Sequence, residues 1–263
     1  MTGIENASDL PAESSRWRIA CSTALLSFRQ AGLHFVNVSV PHTRLRFHRT
    51  EERRLEAAVL ADDAAAIGEA VHGGAAVNAV GPQLVTPLMI AVDLQKMNAV
   101  DALLRSGADP NAMALDRQTP VTLAVERYRA QPDGRRILVA VLDAGGDADA
   151  RRPDGDPIIM QFVLDRAKAG LGLMKSMGAD LNILDRAGRP LITQVAMSQD
   201  WDMVWALIEL GAEFDYEGGK STQPLSKALS LRFPSPDSPL YVYKLKIWQF
   251  LKDKGLPVQP LKP

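Results

Sequence analysis

The stretch that decides the fold is SGADPNA, residues 106–112, because close relatives of it return at near-fixed intervals along the chain. The glycine of each relative marks the period. Gly74 (GGAAVNA), Gly107 (GADPNA), Gly145 (GGDADA), Gly178 (GADLNI) and Gly211 (GAEFDY) are separated by 33, 38, 33 and 33 residues, and a weaker sixth, Gly255 (GLPV), follows after 44. The flanks repeat as well. Fourteen residues after each of the first five glycines stands an aliphatic residue: Leu88, Val121, Ile159, Ile192 and Leu225. An apolar pair usually precedes the glycine, as in Leu103–Leu104, Val141–Leu142 and Leu207–Ile208, and the exception is Met174 followed by Lys175.

Each part of the unit has a local physical reason. Thr86 and Thr119, in TPLMIA and TPVTLA, are helix N-caps followed by a proline suited to the first helical turn. The glycine supplies the left-handed conformation that stops the second helix. Asp109 with Asn111, and Asp180 with Asn182, are expected to bond local backbone and set the turn into the next unit. One such unit cannot bury its apolar stripe alone, so neighbours must stack.

Period and motif together resemble the ankyrin repeat, which opens on T-P-L-H-x-A, forms two short helices and closes on G-A-D-x-N. The resemblance implies an all-α solenoid of stacked helix-turn-helix units with short turn tips, and a protein that binds other proteins rather than one that turns over a substrate. It divides the chain into a leader over 1–48, irregular or a short helix, and a repeat domain over 49–259. That domain comprises an N-terminal cap over 49–78, repeats over 79–111, 112–149, 150–182 and 183–215, and a C-terminal capping repeat over 216–259. The family histidine is replaced throughout, by Met89, Thr122, Met160, Thr193 and Ser226, which puts its usual hydrogen bonds between units in doubt. In the third and fourth repeats the proline comes one place early, at Pro157 and Pro190. Asp156 can still cap there, whereas Arg189 is a poor cap.

The long intervals mark insertions, YRAQPDGRR (128–136) and LRFPSPDSPLYVY (231–243), whose Pro and Gly argue for loops rather than longer helices. At the ends, 52–74 reads as two helices without a T-P start and 245–258 as a closing helix. Lys244, Lys246, Lys252, Asp253 and Lys254 are expected to give that terminal unit a charged outer face.

Composition narrows the function. Of 263 residues, 46% are hydrophobic and 23% charged, which suits a folded chain. A net charge of −1 gives no global attraction to nucleic acid or membrane. Cys21 is the single cysteine, so no intramolecular disulfide and no cysteine metal cluster can form. RWRIACSTALLSF (16–28) is the size of an export-signal core. However, Glu5, Asp9 and Glu13 precede it, Arg29 follows and no clear cleavage site appears, so a short amphipathic helix or irregular leader competes with that reading. FVNVSV (35–40) alternates like a strand without an obvious partner. The histidines, His34, His42, His48 and His72, have no standard metal spacing, and no nucleophile, metalloprotease, phosphate-loop or EF-hand motif is present. No catalytic, cofactor or metal site is expected.

Binding is expected on the concave face formed by the first helices and turn tips. Two residues after each anchor come Ile90, Leu123, Gln161, Gln194 and Lys227, a stripe running from apolar to basic. Asp93 and Glu126 join it, and Arg117, Arg152 and Arg186 lie on the tips. Trp201 and Trp205 share one helical face, either packing against the 231–243 insertion or forming a binding hot spot. A narrower resemblance lies in the diverged units and the LKDKGLPVQP ending, which look like bacterial ankyrin proteins encoded beside type VI secretion lipase effectors. Those act as immunity proteins that plug the toxin, implying a lipase partner and a periplasmic site, where the default site is cytoplasmic. The alternatives are an intracellular scaffold or regulatory adaptor, and a nucleic-acid or membrane-surface adaptor using the arginines of residues 16–54, for which the isolated basic leader is weak support.

Overall fold

A computed structural model describes residues 47, 49–128, 133–214, 225–229 and 238–258. The expected leader helix and strand, Cys21, and His34, His42 and His48 lie outside the described residues, as do the centres of both insertions. The helices run α1 (Thr50–Ala61), α2 (Ala64–His72), α3 (Pro87–Asp93), α4 (Met97–Arg105), α5 (Pro120–Arg127), α6 (Gly134–Asp143), α7 (Met160–Leu164), α8 (Lys168–Ser176), α9 (Leu191–Met197), α10 (Trp201–Glu209), α11 (Leu225–Ala228) and α12 (Pro239–Asp253). Among the described residues the extended structure amounts to isolated bridges, Arg151 with Pro157 and Leu184 with Pro190.

Helices pair within a unit, α1 with α2, α3 with α4 and onward to α9 with α10. Across units, first helices pack on first helices (α1 on α3, α3 on α5, α9 on α11) and second on second (α2 on α4, α4 on α6, α8 on α10). The core lies between these layers. Leu88, Val121, Ile159, Ile192 and Leu225 occupy it at the start of successive first helices, each no more than 2% exposed and all in one continuous cluster.

The second helices end in one recurring way. Gly107 has φ 86°, a left-handed conformation in which a Cβ is disfavoured, and the other five glycines of the period are left-handed too. Beyond it, the Ala108 N–H donates to the Leu103 carbonyl and the Gly107 N–H to the Leu104 carbonyl. The same two-bond closure recurs at Gly74, Gly145, Gly178, Gly211 and Gly255, satisfying carbonyls that the helix end would leave orphaned. First helices turn into second helices through a left-handed residue that is not glycine: Asp62, Gln95, Arg166 or Gln199.

The helix starts divide into two kinds. In α3 and α5 the Thr86 and Thr119 hydroxyls accept the Met89 and Thr122 N–H groups. Thr122 stands where the family has histidine; it is fully buried, accepts the Thr119 N–H and donates to Gln118 Oε1 at 2.6 Å. In α7 and α9 no side chain caps the start. Asp156 is not the cap expected, because its carboxylate accepts the Arg186 N–H of the next tip. Arg189 instead grips Asp185, its Nε donating to Oδ2 at 2.8 Å.

The turn residues also divide their labour differently from the expectation. Asp109 does bond locally, accepting the Asn111 N–H at 2.8 Å. Asn111 reaches across to the next unit, donating to the Gly145 carbonyl at 2.9 Å and accepting the Asp147 N–H at 2.8 Å. Asn78 makes the same pair of bonds to Gly107 and Asp109, while Asp149 and Asn182 accept the N–H groups of Asp180 and Glu213. A ladder of side-chain rungs therefore joins consecutive turns. Gly170 is needed for a different reason: a Cβ there would overlap the ring of Phe162, which is buried edge-to-face on Tyr128.

Two expectations fail at the C-terminal end. Residues 239–243, assigned to an insertion loop, form the first turns of α12, because Ser238 caps its start and Pro239 takes the first position. Lys244 is not on the outer face but wholly buried, with its Nζ 5.1 Å from the centre of the Trp201 ring.

If the rungs hold the units together, Asn111→Ala lowers the urea unfolding stability by about 1–2 kcal/mol, two partly exposed hydrogen bonds at roughly 0.5–1.5 kcal/mol each. Asn111→Asp, which keeps the acceptor but not the donor, falls between the variant and the parent.

Candidate functional site

The repeat places two columns of side chains on the first helices. The column two residues after the anchors was expected to be exposed. Ile90 and Leu123 are instead core residues, Ile90 with 3% of its surface in solvent, because this position belongs to the apolar seam in the first two repeats. They offer a partner no surface, which corrects their assignment to the binding stripe. Farther along, the same position carries half-buried Gln161 and Gln194. Gln161 donates to Asp165 at 3.1 Å and accepts from Arg152 at 3.4 Å. Gln194 has a buried Oε1 without a hydrogen-bond partner among the described residues. The Lys227 side chain lies outside the described part.

Five residues after each anchor runs a second column, Asp93, Glu126, Leu164 and Met197, preceded one unit earlier by Leu60. The sequence reading took Asp93 and Glu126 from it and missed Leu60, Leu164 and Met197, although the spacing that located the anchors also locates them. Leu164 and Met197 are 58% and 54% exposed. The acids between the leucines are held in place. Arg127 donates to Asp93 Oδ1 through Nε at 3.0 Å and Nη2 at 2.6 Å, so Asp93 braces neighbouring units. Glu126 accepts from Gln118 Nε2 at 3.2 Å. Although part of this residue remains in solvent, crowding around the carboxyl removes it from water and raises it above the ordinary glutamate value. The Gln118 hydrogen bond and the charges of Arg127 and Arg152 oppose that shift.

On the tips, Arg152 pairs with Asp154 at 2.6 Å. Arg117 and Arg186 are exposed, and Arg186 Nε stands 4.0 Å from Asp156. The first-helix ends thus bring Asp93, Glu126, Arg152 and Gln161 into one neighbourhood. The tryptophans lie elsewhere, on α10. Trp201 is core, 1% exposed, and is no surface hot spot. Half-buried Trp205 donates to Glu209 at 2.6 Å and stands edge-to-face on Phe250 of α12 at 5.9 Å. The pair forms the socket for the closing helix. No His, Cys, Asp and Glu grouping suited to a metal, and no helix long and apolar enough to cross a membrane, occurs among the described residues.

Two layers of short helices, left-handed glycine stops and turn rungs define an ankyrin-repeat helical solenoid. A family model described as the ankyrin repeat matches residues 84–114 of the chain. It is similar to the protein lin-12 of Caenorhabditis elegans, at 32% identity over 124 residues; the match covers 44% of this chain and 8% of lin-12. Ankyrin repeats are, as a class, protein–protein interaction modules.

Burial pushes Lys244 down from the ordinary lysine value to about 8. The unfolded chain binds its proton more tightly, so the cost of burying the charge is present in full below pH 8 and is relieved as pH rises towards the unfolded lysine value. Thermal melts of the parent should therefore gain stability between about pH 8 and pH 10 relative to Lys244→Met, in which that increment is absent.

Proposed function

We propose that this protein binds another protein and performs no chemistry of its own, using the exposed ends of its first helices in the third and fourth repeats. The observation that carries the reading is the repetition of a large apolar side chain in solvent, Leu164 and then Met197, at one position of successive units. Exposed apolar anchors repeated on successive units are what a partner surface covers. Exposed Glu126 continues the column towards the N-terminus, where a partner's basic group would meet it.

The narrower reading is an immunity protein that occludes a secreted lipase effector. It is supported by the likeness of the diverged units and C-terminal ending to such proteins. Exposed Leu164 and Met197 are also side chains of the kind that fill an apolar substrate cleft.

The double variant Leu164→Glu/Met197→Glu changes only exposed positions, so its circular dichroism and melting should match the parent. Pull-down with mass spectrometry from the native host should then show the parent's specific partner reduced at least tenfold, a loss of about 1.4 kcal/mol or more. Unchanged recovery by the folded variant contradicts the site. If the recovered partner is a lipase, inhibition of its activity by the parent and not by the variant supports the narrower reading, and absence of inhibition rejects it.

A further inference from the structure

The closing helix carries a surface that the first-helix site does not use. In α12, Lys244, Ile247 and Leu251 are buried. Val242, Leu245, Lys246, Gln249 and Lys252 stand at i, i+3, i+4, i+7 and i+10, which gathers them on the opposite side of the helix. All five are exposed, Val242 at 54% and Leu245 at 38%. With 15 residues α12 is the longest described helix, a ridge about 22 Å long.

The charge of this ridge has one sign. Between residues 238 and 258 there are four lysines, Lys244, Lys246, Lys252 and Lys254, and one acid, Asp253. The acid is turned back on its own helix, accepting from Gln249 at 2.6 Å. Exposed Lys246, Lys252 and Lys254 make no ion pair among the described residues. Each ammonium stands over an aromatic ring instead: Lys246 over Tyr243 at 5.4 Å, Lys252 over Trp248 at 5.0 Å and Lys254 over Phe250 at 5.7 Å. Tyr243 also receives Lys168 of α8 at 5.1 Å, a lysine that reaches Asp202 at 3.4 Å. The three rings are half-buried. The lysine stems thus lie along apolar surface while their charges stay in water, with two aliphatic side chains exposed among them.

We infer that this side of α12 rests on a membrane surface of anionic lipid. Lysines beside exposed aliphatic side chains, with Tyr and Trp at half depth, are the pattern of a helix lying in the membrane–water interface. A free interfacial helix puts its whole apolar stripe into the lipid. In α12 that stripe is occupied by packing on α10, so only Val242 and Leu245 enter, and charge carries most of the binding. Lys246, Lys252 and Lys254 meet headgroup phosphates, each raising the partition about fivefold. The contact is peripheral and reversible, and salt weakens it. It does not depend on the partner surface at Leu164 and Met197.

The test is co-sedimentation of the full chain with vesicles of phosphatidylglycerol and phosphatidylcholine in equal parts, against vesicles of phosphatidylcholine alone. The parent should sediment with the anionic vesicles, stay in solution with the neutral ones and be released by rising salt. Lys246→Glu/Lys252→Glu should lower the partition at least tenfold, whereas Lys246→Arg/Lys252→Arg should bind as the parent does. Val242→Ser/Leu245→Ser should bind severalfold more weakly, and it decides the matter if the glutamate variant melts early. Leu164→Glu/Met197→Glu should sediment like the parent, so failure here leaves the first-helix reading standing, and the reverse also holds. Absence of binding to anionic vesicles, equal binding to neutral ones, or undiminished binding by the folded glutamate variant overturns the inference. So does release by soluble glycerophosphate where sodium chloride of the same ionic strength has no effect, since the lysines then hold a free phosphate and not a lipid surface.

Discussion

A pair of helices of seven and nine residues, such as α3 and α4, has too little surface to bury its own apolar stripe. Everything else in this fold follows from that shortage. Leu88, Val121, Ile159, Ile192 and Leu225 can leave water only between two units, so the core is a seam shared from neighbour to neighbour. Sharing it requires the helix pairs to repeat at one register. The left-handed glycines and the turn rungs set that register: the glycine ends each second helix at the same place, and the Asn or Asp four residues later takes hold of the following turn.

The rungs explain how the stack holds without the family histidine. Buried polar groups must be satisfied locally or across the unit boundary. Thr122 is satisfied within its own helix start. The bonds between units come from Asn78, Asn111, Asp149 and Asn182, and at the far ends of the first helices from Asp62, which accepts the Ala99 N–H at 2.8 Å, and Arg166, which pairs with Asp200 and Asp202. The second repeat takes its insertion between α5 and α6. There the Asp93–Arg127 pair braces the first and second repeats.

Much of this was legible in the sequence because it depends on local chemistry repeated many times. Glycine stops, threonine caps and anchors each have a short-range cause, and recurrence separates them from chance. What escaped were features set by contact between units. Ile90 and Leu123 are spaced as surface residues but fall in the seam, since the width of the apolar stripe differs between repeats. Lys244 reads as a solvated charge, but Trp201 and the docking of α12 bury it. Proline at 239 looked like a loop residue, yet behind Ser238 it opens a helix. The exposed Leu164 and Met197 were passed over because an apolar residue in a helix reads as core unless its register is counted from the anchor.

The shared seam is tested most directly by amide hydrogen exchange on Val121→Ala, a cavity at the centre of one unit that should cost about 2–3 kcal/mol. Protection should fall together in α3–α4, α5–α6 and α7–α8, including the Asp109, Asp147 and Asp180 amides that donate to the rungs. Protection lost in α5 and α6 alone, with both neighbours unchanged, would mean that each unit stands by itself and would contradict the account.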